Sequence, residues 1–181
     1  PYNDSESQGT FWVDLPDFAS SVETIQLQRG VGTSTNGSAA FGASLNIETD
    51  AVQNNAFASL SSSIGSFNSL KNTVRFSTGK INEAFTFSGR LSQINSDGYI
   101  DRASSDLGAY FFQGTFEDES TLIKALVFGG QEITYQAYWG IDAVTLQTNR
   151  TYNTAGEIYD ENGNHTAFYE NEVDNYNQKH Y

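Results

Sequence analysis

Between residues 84 and 94 the chain alternates strictly: Phe85, Phe87, Gly89 and Leu91 take one parity, and Thr86, Ser88, Arg90 and Ser92 the other. Side chains of an extended strand point to opposite faces in turn, so this period of two dictates a strand with one apolar and one polar face and leaves no room for a helix. Neighbouring segments repeat the pattern. Residues 56–64 set Ala58, Leu60, Ser62 and Ile64 against Phe57, Ser59, Ser61 and Ser63; residues 71–79 set Val74 and Phe76 against Thr73, Arg75 and Ser77. Residues 108–117 set Tyr110, Phe112 and Phe116 against Gln113 and Thr115, and residues 120–130 are apolar on both faces except at Lys124. The expected fold class is therefore all-β. A half-buried strand of a soluble sandwich and a strand with lipid on one side and a polar interior on the other share this alternation.

Composition and motifs remove whole classes of function. There is no cysteine, hence no disulfide framework and no thiolate metal site. A net charge of -13 argues against nucleic acid, which needs a basic stripe. No apolar run reaches the ~18 residues of a transmembrane helix, although a membrane barrel needs none. Gly32 and Gly37 have phosphate-loop spacing, but Ser38 and Ala39 follow where Lys and Ser or Thr are required, and Thr35 occupies the glycine position of a dinucleotide fingerprint starting at Gly30. His165 and His180 lack the i, i+4 partner of a helical zinc site, and no nucleophile elbow or paired catalytic carboxylates occur. The chain is expected to be no enzyme, with no metal and no cofactor.

Two polar regions invite ligands. Residues 157–174 hold Glu157, Asp160, Glu161, Glu170, Glu172 and Asp174 without Lys or Arg. Asp160 to Asn164 resembles the start of a calcium loop, but His165 stands where glycine is required, which favours a solvated loop. Residues 131–181 are too long and polar for a hairpin connection and read as a functional loop, with Tyr135, Tyr138, Trp139, Tyr152, Tyr159, Phe168, Tyr169 and Tyr176 set among amides and acids. Such aromatics can stack on a flat ligand or pin the loop to itself.

Residues 22–49 carry a more specific likeness. Val22-Glu23-Thr24-Ile25-Gln26-Leu27-Gln28-Arg29-Gly30, then Asn36-Gly37-Ser38-Ala39-Ala40-Phe41-Gly42-Ala43, then Leu45-Asn46-Ile47-Glu48-Thr49, together resemble the end of the plug domain of TonB-dependent outer-membrane receptors of Bacteroidetes type. The likeness departs at Val31, Asn36 and Ala43, where proline, tyrosine and glycine are usual. It implies that residues 1–50 are the C-terminal part of a plug and residues 51–181 the first antiparallel strands and extracellular loops of a large transmembrane β-barrel, about five strands of the roughly 22 in such a transporter. The chain would then be an internal portion of a larger receptor, in the bacterial outer membrane, in contact with its lipid.

The function so implied is TonB-dependent import of a scarce bulky nutrient: an iron chelate, haem or corrinoid. TonB would act through a segment outside this chain. Arg29 would dock the plug by pairing with wall carboxylates, with Gly30, Gly37 and Gly42 shaping the glycine-rich turn. Trp12, Tyr138 and Trp139 are candidates for nutrient contact, and the long acidic loop would suit a surface lipoprotein as a further partner. Barrel topology also implies connections alternating between long outer loops and short inner turns: expected are a modest loop at 65–69, a turn at 79–82, a long loop at 95–107, a turn at 117–120 and an excursion from 131. The competing reading is a soluble or surface-attached β-rich adhesion module.

Overall fold

The structure, a computed structural model, describes residues 9, 10, 12, 15–31 and 42–169, together with the backbone of 177–180. A 3-10 turn at Phe18–Ser21 leads into a two-stranded antiparallel hairpin, β1 (Val22–Arg29) and β2 (Ala43–Thr49). Leu27 pairs with Leu45 and Ile25 with Ile47. Then come β3 (Ala56–Ile64), β4 (Leu70–Thr78), β5 (Phe85–Ser96), β6 (Ser105–Glu117) and β7 (Leu122–Tyr135). A short helix, α1 (Ala143–Thr148), a small hairpin of β8 (Glu157–Tyr159) and β9 (His165–Phe168), and β10 (Asn177–His180) complete the described chain. The main sheet has the order β10-β7-β6-β5-β4-β3 and is antiparallel throughout, so β3 to β7 form a meander in which sequence neighbours are also neighbours in space.

Register assigns the two faces. Partners across an antiparallel ladder share a face, and the rows Leu60–Val74–Leu91–Tyr110–Gly129 and Ala58–Phe76–Gly89–Phe112–Val127 run across five strands, with Phe85–Phe116–Ile123 below them. Intervening rows carry Ser59–Arg75–Arg90–Phe111 and Thr86–Thr115–Lys124. Burial then runs opposite to that of a water-soluble sandwich. Phe87 is 52% and Leu91 47% exposed, whereas Arg90 retains 2% and Gln113 3% of their accessible surface. Across β4, β5 and β6 the face that water would penalise is open and the face that water would solvate is covered, while β3 and the first half of β7 are exposed on both faces. A sandwich strand alternates the other way, apolar inward and polar outward.

On the open face, rings lie over glycines. A Cβ at Gly89 would come within 2.6 Å of Phe112 Cδ1 and 2.8 Å of Phe76 Cε1, and one at Gly129 within 2.8 Å of the Tyr110 hydroxyl. The Phe85 and Phe116 rings meet at 5.0 Å across the β5–β6 ladder. Glycine thus makes room for an aromatic from the adjacent strand, a device that pins register and covers exposed backbone.

Several expectations require correction. The strands β5, β6 and β7 are longer than the alternating segments. They continue through polar pairs such as Asn95–Asp106, whose side chains hydrogen-bond at 2.9 Å, which shortens the middle loop to residues 97–104. The loop at 65–69 is no longer than the turn at 79–84, so the long–short alternation holds only for the later connections. The region from residue 131 is not one loop: β7 runs to Tyr135, α1 and the β8–β9 hairpin follow, and β10 returns to pair with β7, giving six strands rather than about five. The helix has a plain cause. Asp142 caps it by accepting from Val144 N at 2.8 Å and Thr145 N at 3.0 Å.

Replacing Gly89 with Val should displace Phe112 and Phe76 and destabilise the sheet by about 1–3 kcal/mol. At Gly108, where a Cβ meets nothing within 4 Å, Ala should change stability by less than about 0.5 kcal/mol. Thermal unfolding of the two variants measures the contrast, and equal effects would remove the ring-over-glycine account.

Candidate functional site

The covered face concentrates like charge. Arg75 and Arg90 are direct cross-strand partners on it, and Lys71 lies on the same face of β4, four residues along and beyond Thr73. Like charges in register destabilise a sheet, so this patch requires counter-charge. Two segments supply it, one on each side of the β1–β2 hairpin. Asp17, just before β1, accepts from Arg90 Nη1 at 2.6 Å and from Lys71 Nζ at 2.6 Å. Asp50, just after β2, pairs with Arg75.

The Asp17 end is the tighter of the two. Arg90 also donates through Nε to Ser21 Oγ at 2.7 Å and through Nη1 to Ser92 Oγ at 2.7 Å; Lys71 donates to Ser20 Oγ at 2.8 Å. Asp17 sits at φ 53, a left-handed conformation that aspartate tolerates better than most residues, and its side chain makes no cap bond to the following turn. The carboxylate instead accepts from the two cations and from Ser20 Oγ at 2.5 Å. Burial alone would push its pKa up, but hydrogen bonds from Lys71, Ser20 and Ser92 and the Arg90 charge hold it below the usual carboxylate range. Apolar contacts seat the same segment: Phe18 packs on Phe128 at 5.2 Å, and Pro16 lies over Gly130. At the Asp50 end, Lys124 Nζ donates to Thr49 Oγ1 at 3.2 Å and to the Asp50 carbonyl at 3.3 Å.

A second cluster occupies the end of the sheet where β5 and β7 finish. Asp97 N donates to the Phe67 carbonyl, and Phe67 packs edge-on against Tyr99 at 5.6 Å, joining the 65–69 and 97–104 connections. Arg102 donates to the carbonyls of Asn153 and Ala155 and lies 3.6 Å over the Phe168 ring. Asn153 Nδ2 reaches the carbonyls of Asp101 and Gln136. The β8–β9 hairpin is therefore tied to the sheet and does not hang from it. On that hairpin Tyr152 donates to Glu157 Oε1, and Tyr159 donates to Oε2 at 2.5 Å. These bonds hold the Glu157 carboxyl below its usual range and push the Tyr152 phenol up to about 12. Asp160 accepts from Asn162 N at 2.9 Å and Asn164 N at 2.8 Å, so the segment resembling a calcium loop spends its first carboxylate on its own turn.

The residues singled out from sequence fall into three groups. Arg29 ends β1, paired with Ala43 and exposed, and makes no ion pair with a described residue. Gly30 adopts φ 84, and its N donates to the Gly42 carbonyl at 2.8 Å, closing the end of the hairpin; Gly37 lies outside the described residues. Trp12 is exposed beside the Asp17 segment. Tyr138 and Trp139 are exposed and stack on one another at 5.7 Å. Sequence reasoning named neither Asp17 nor Asp50, and it treated Arg75 and Arg90 only as polar-parity residues. The available signal was three cations placed on the wet parity of two adjacent strands. No protein-family model matches the chain, and no curated protein or solved structure is significantly similar to it.

Asp17→Asn should cost about 3–5 kcal/mol, because it strands a buried guanidinium. Adding Arg90→Met should recover most of that loss, and Lys71→Met alone should cost about 1 kcal/mol or less, its ammonium being partly exposed. Denaturant unfolding of the three variants measures this, and an Asp17→Asn protein as stable as the parent would refute the clasp.

Proposed function

We propose that this chain forms the end of the plug and the first wall strands of a TonB-dependent outer-membrane receptor, which imports a scarce bulky nutrient such as an iron chelate, haem or corrinoid. The observation carrying the reading is the reversed burial of β4, β5 and β6, with their apolar face open and their polar face covered, its Lys71, Arg75 and Arg90 cluster met by the segments flanking the β1–β2 hairpin. A barrel wall needs that distribution: hydrocarbon favours Phe85, Phe87, Leu91 and Val127, while a hydrated bore accommodates Thr86, Arg90 and Gln113. Strands of nine to fourteen residues meet the roughly 9–11 needed to cross a bilayer at a tilt. The likeness of residues 22–49 to a plug terminus adds the family. In this reading the clasps hold the plug through Asp17 and Asp50 on the plug side and cations on the wall, and TonB draws on a segment outside the chain.

The adhesion-module alternative predicts the opposite surface chemistry. With Trp12 and Trp139 replaced by Phe, Phe87→Trp should be quenched by lipids brominated on their acyl chains, and Ser61→Trp, of opposite parity on β3, should not. Solubility without detergent, with no quenching at residue 87, would reject the membrane reading.

Tyr138 and Trp139, as a rigid exposed stack, are the contacts proposed for cargo. Haem, a corrinoid and a ferric hydroxamate offered in turn to the detergent-solubilised receptor should include one that binds, and the double alanine variant should weaken its binding by about tenfold or more. Retention of none of the three removes the cargo assignment.

A further inference from the structure

We propose that Tyr152, Glu157, Tyr159 and His165, on and beside the β8–β9 hairpin, form a site for a ferric ion. The site does not rest on the transporter reading; it rests on four side chains gathered at one hairpin. The two phenols converge on one carboxylate, Tyr152 through Oε1 and Tyr159 through Oε2. His165 is the cross-strand partner of Tyr159, with the rings edge-on at 5.8 Å.

The scaffold under them is fixed. His165 packs on Phe168 at 4.5 Å, Tyr152 meets Phe168 edge-on at 6.2 Å, and Arg102 covers the same ring. Tyr169 N donates to the Gly156 carbonyl at 2.8 Å, and the Tyr135 hydroxyl donates to the Tyr169 carbonyl at 2.5 Å, tying the hairpin to β7. Donors held by packing and by backbone bonds lose less freedom when they close on an ion than donors on a free loop.

Ligand chemistry selects the metal. Counting only carboxylates, thiols and imidazoles, no group of three stands together among the described residues, so calcium, magnesium and zinc lack an adequate set. The phenols complete a four-donor set only as phenolates. Both phenols are committed as donors to Glu157, and they exchange those protons for a metal at neutral pH only with a cation of high charge density, since a bound cation inverts the local proton balance. Hard anionic oxygens with one imidazole suit Fe3+, and tyrosinate is an established iron donor. Without metal, Glu157 occupies both phenol protons; with Fe3+, those two hydrogen bonds are exchanged for metal bonds. Two phenol O–H bonds break and two Fe–O(phenolate) bonds form beside those to the Glu157 carboxylate and the His165 imidazole; both protons and the chelator or water ligands that these donors replace on iron leave to solvent, and iron stays ferric throughout.

Titrating the full chain with ferric nitrilotriacetate should give a visible phenolate-to-iron charge-transfer band that saturates at one ion per chain. Tyr152→Phe and Tyr159→Phe should each lower the band, the double variant should abolish it, and Glu157→Gln should weaken affinity by at least the roughly 10–100-fold that losing even a supporting partner costs a metal site. Zinc and calcium in excess should not displace the iron. Circular dichroism of the Tyr→Phe variants separates loss of ligand from loss of fold. Absence of the band in the parent, or a band unchanged in the double variant while the fold is intact, would overturn the site.

Discussion

Two arginines placed side by side on one face of a sheet make an arrangement that cannot stand alone. Arg75 and Arg90 face each other across β4 and β5, Lys71 adds a third charge, and Arg90 is almost wholly removed from water. Desolvating a guanidinium costs several kcal/mol unless a carboxylate meets it with good geometry. Asp17 and Asp50 meet that requirement and in doing so decide where both ends of the β1–β2 hairpin lie. The dependence is mutual. Without the two carboxylates the sheet would carry uncompensated cations, and without the cations the segments before and after the hairpin would be held chiefly by the packing of Pro16 and Phe18.

The fold was legible where chemistry alternated and illegible where it did not. Parity located β3 to β6 within a few residues, because an apolar side chain every second position admits no other regular structure, and β7 was marked only by a continuous apolar run. Strand ends escaped, since Asn95, Asp106 and Glu132 continue the ladder with polar side chains that also suit loops. β10, with the sequence Asn-Gln-Lys-His, has no parity signal at all and exists through pairing with β7. Helix α1 carries a readable sign in Asp142 before Ala-Val-Thr-Leu-Gln, set among aromatics and amides that equally suit a loop.

The charged cluster was legible in its cations but not in their partners. The resemblance implies docking through Arg29, which the described ion pairs leave untouched; they put carboxylates beside the hairpin and cations on the strands. Sequence gives the parity of Arg90 but not the fold-back of residues 15–21 onto it, a contact between positions separated by seventy-three residues. Such pairings depend on the path of an irregular segment, which obeys no period.

Charge and exposure also divide the molecule along its length, and this bears on how the proposed receptor would work. Force applied ahead of Asp17 reaches the Arg90–Lys71 clasp before it reaches the hairpin, and the hairpin before Asp50. The first clasp is the more buried and more heavily hydrogen-bonded of the two, while the Arg75–Asp50 pair is more exposed and better screened. Once the first clasp breaks, Asp17 and Arg90 can each be hydrated, so the separated state costs less than the geometry of the closed one suggests. A segment held by buried charge is thus stable against thermal fluctuation, which must expose both ions together, and yields to a directed pull that lets water in at one end. An apolar seat of equal strength would present no such route, because water entering it brings no compensating solvation.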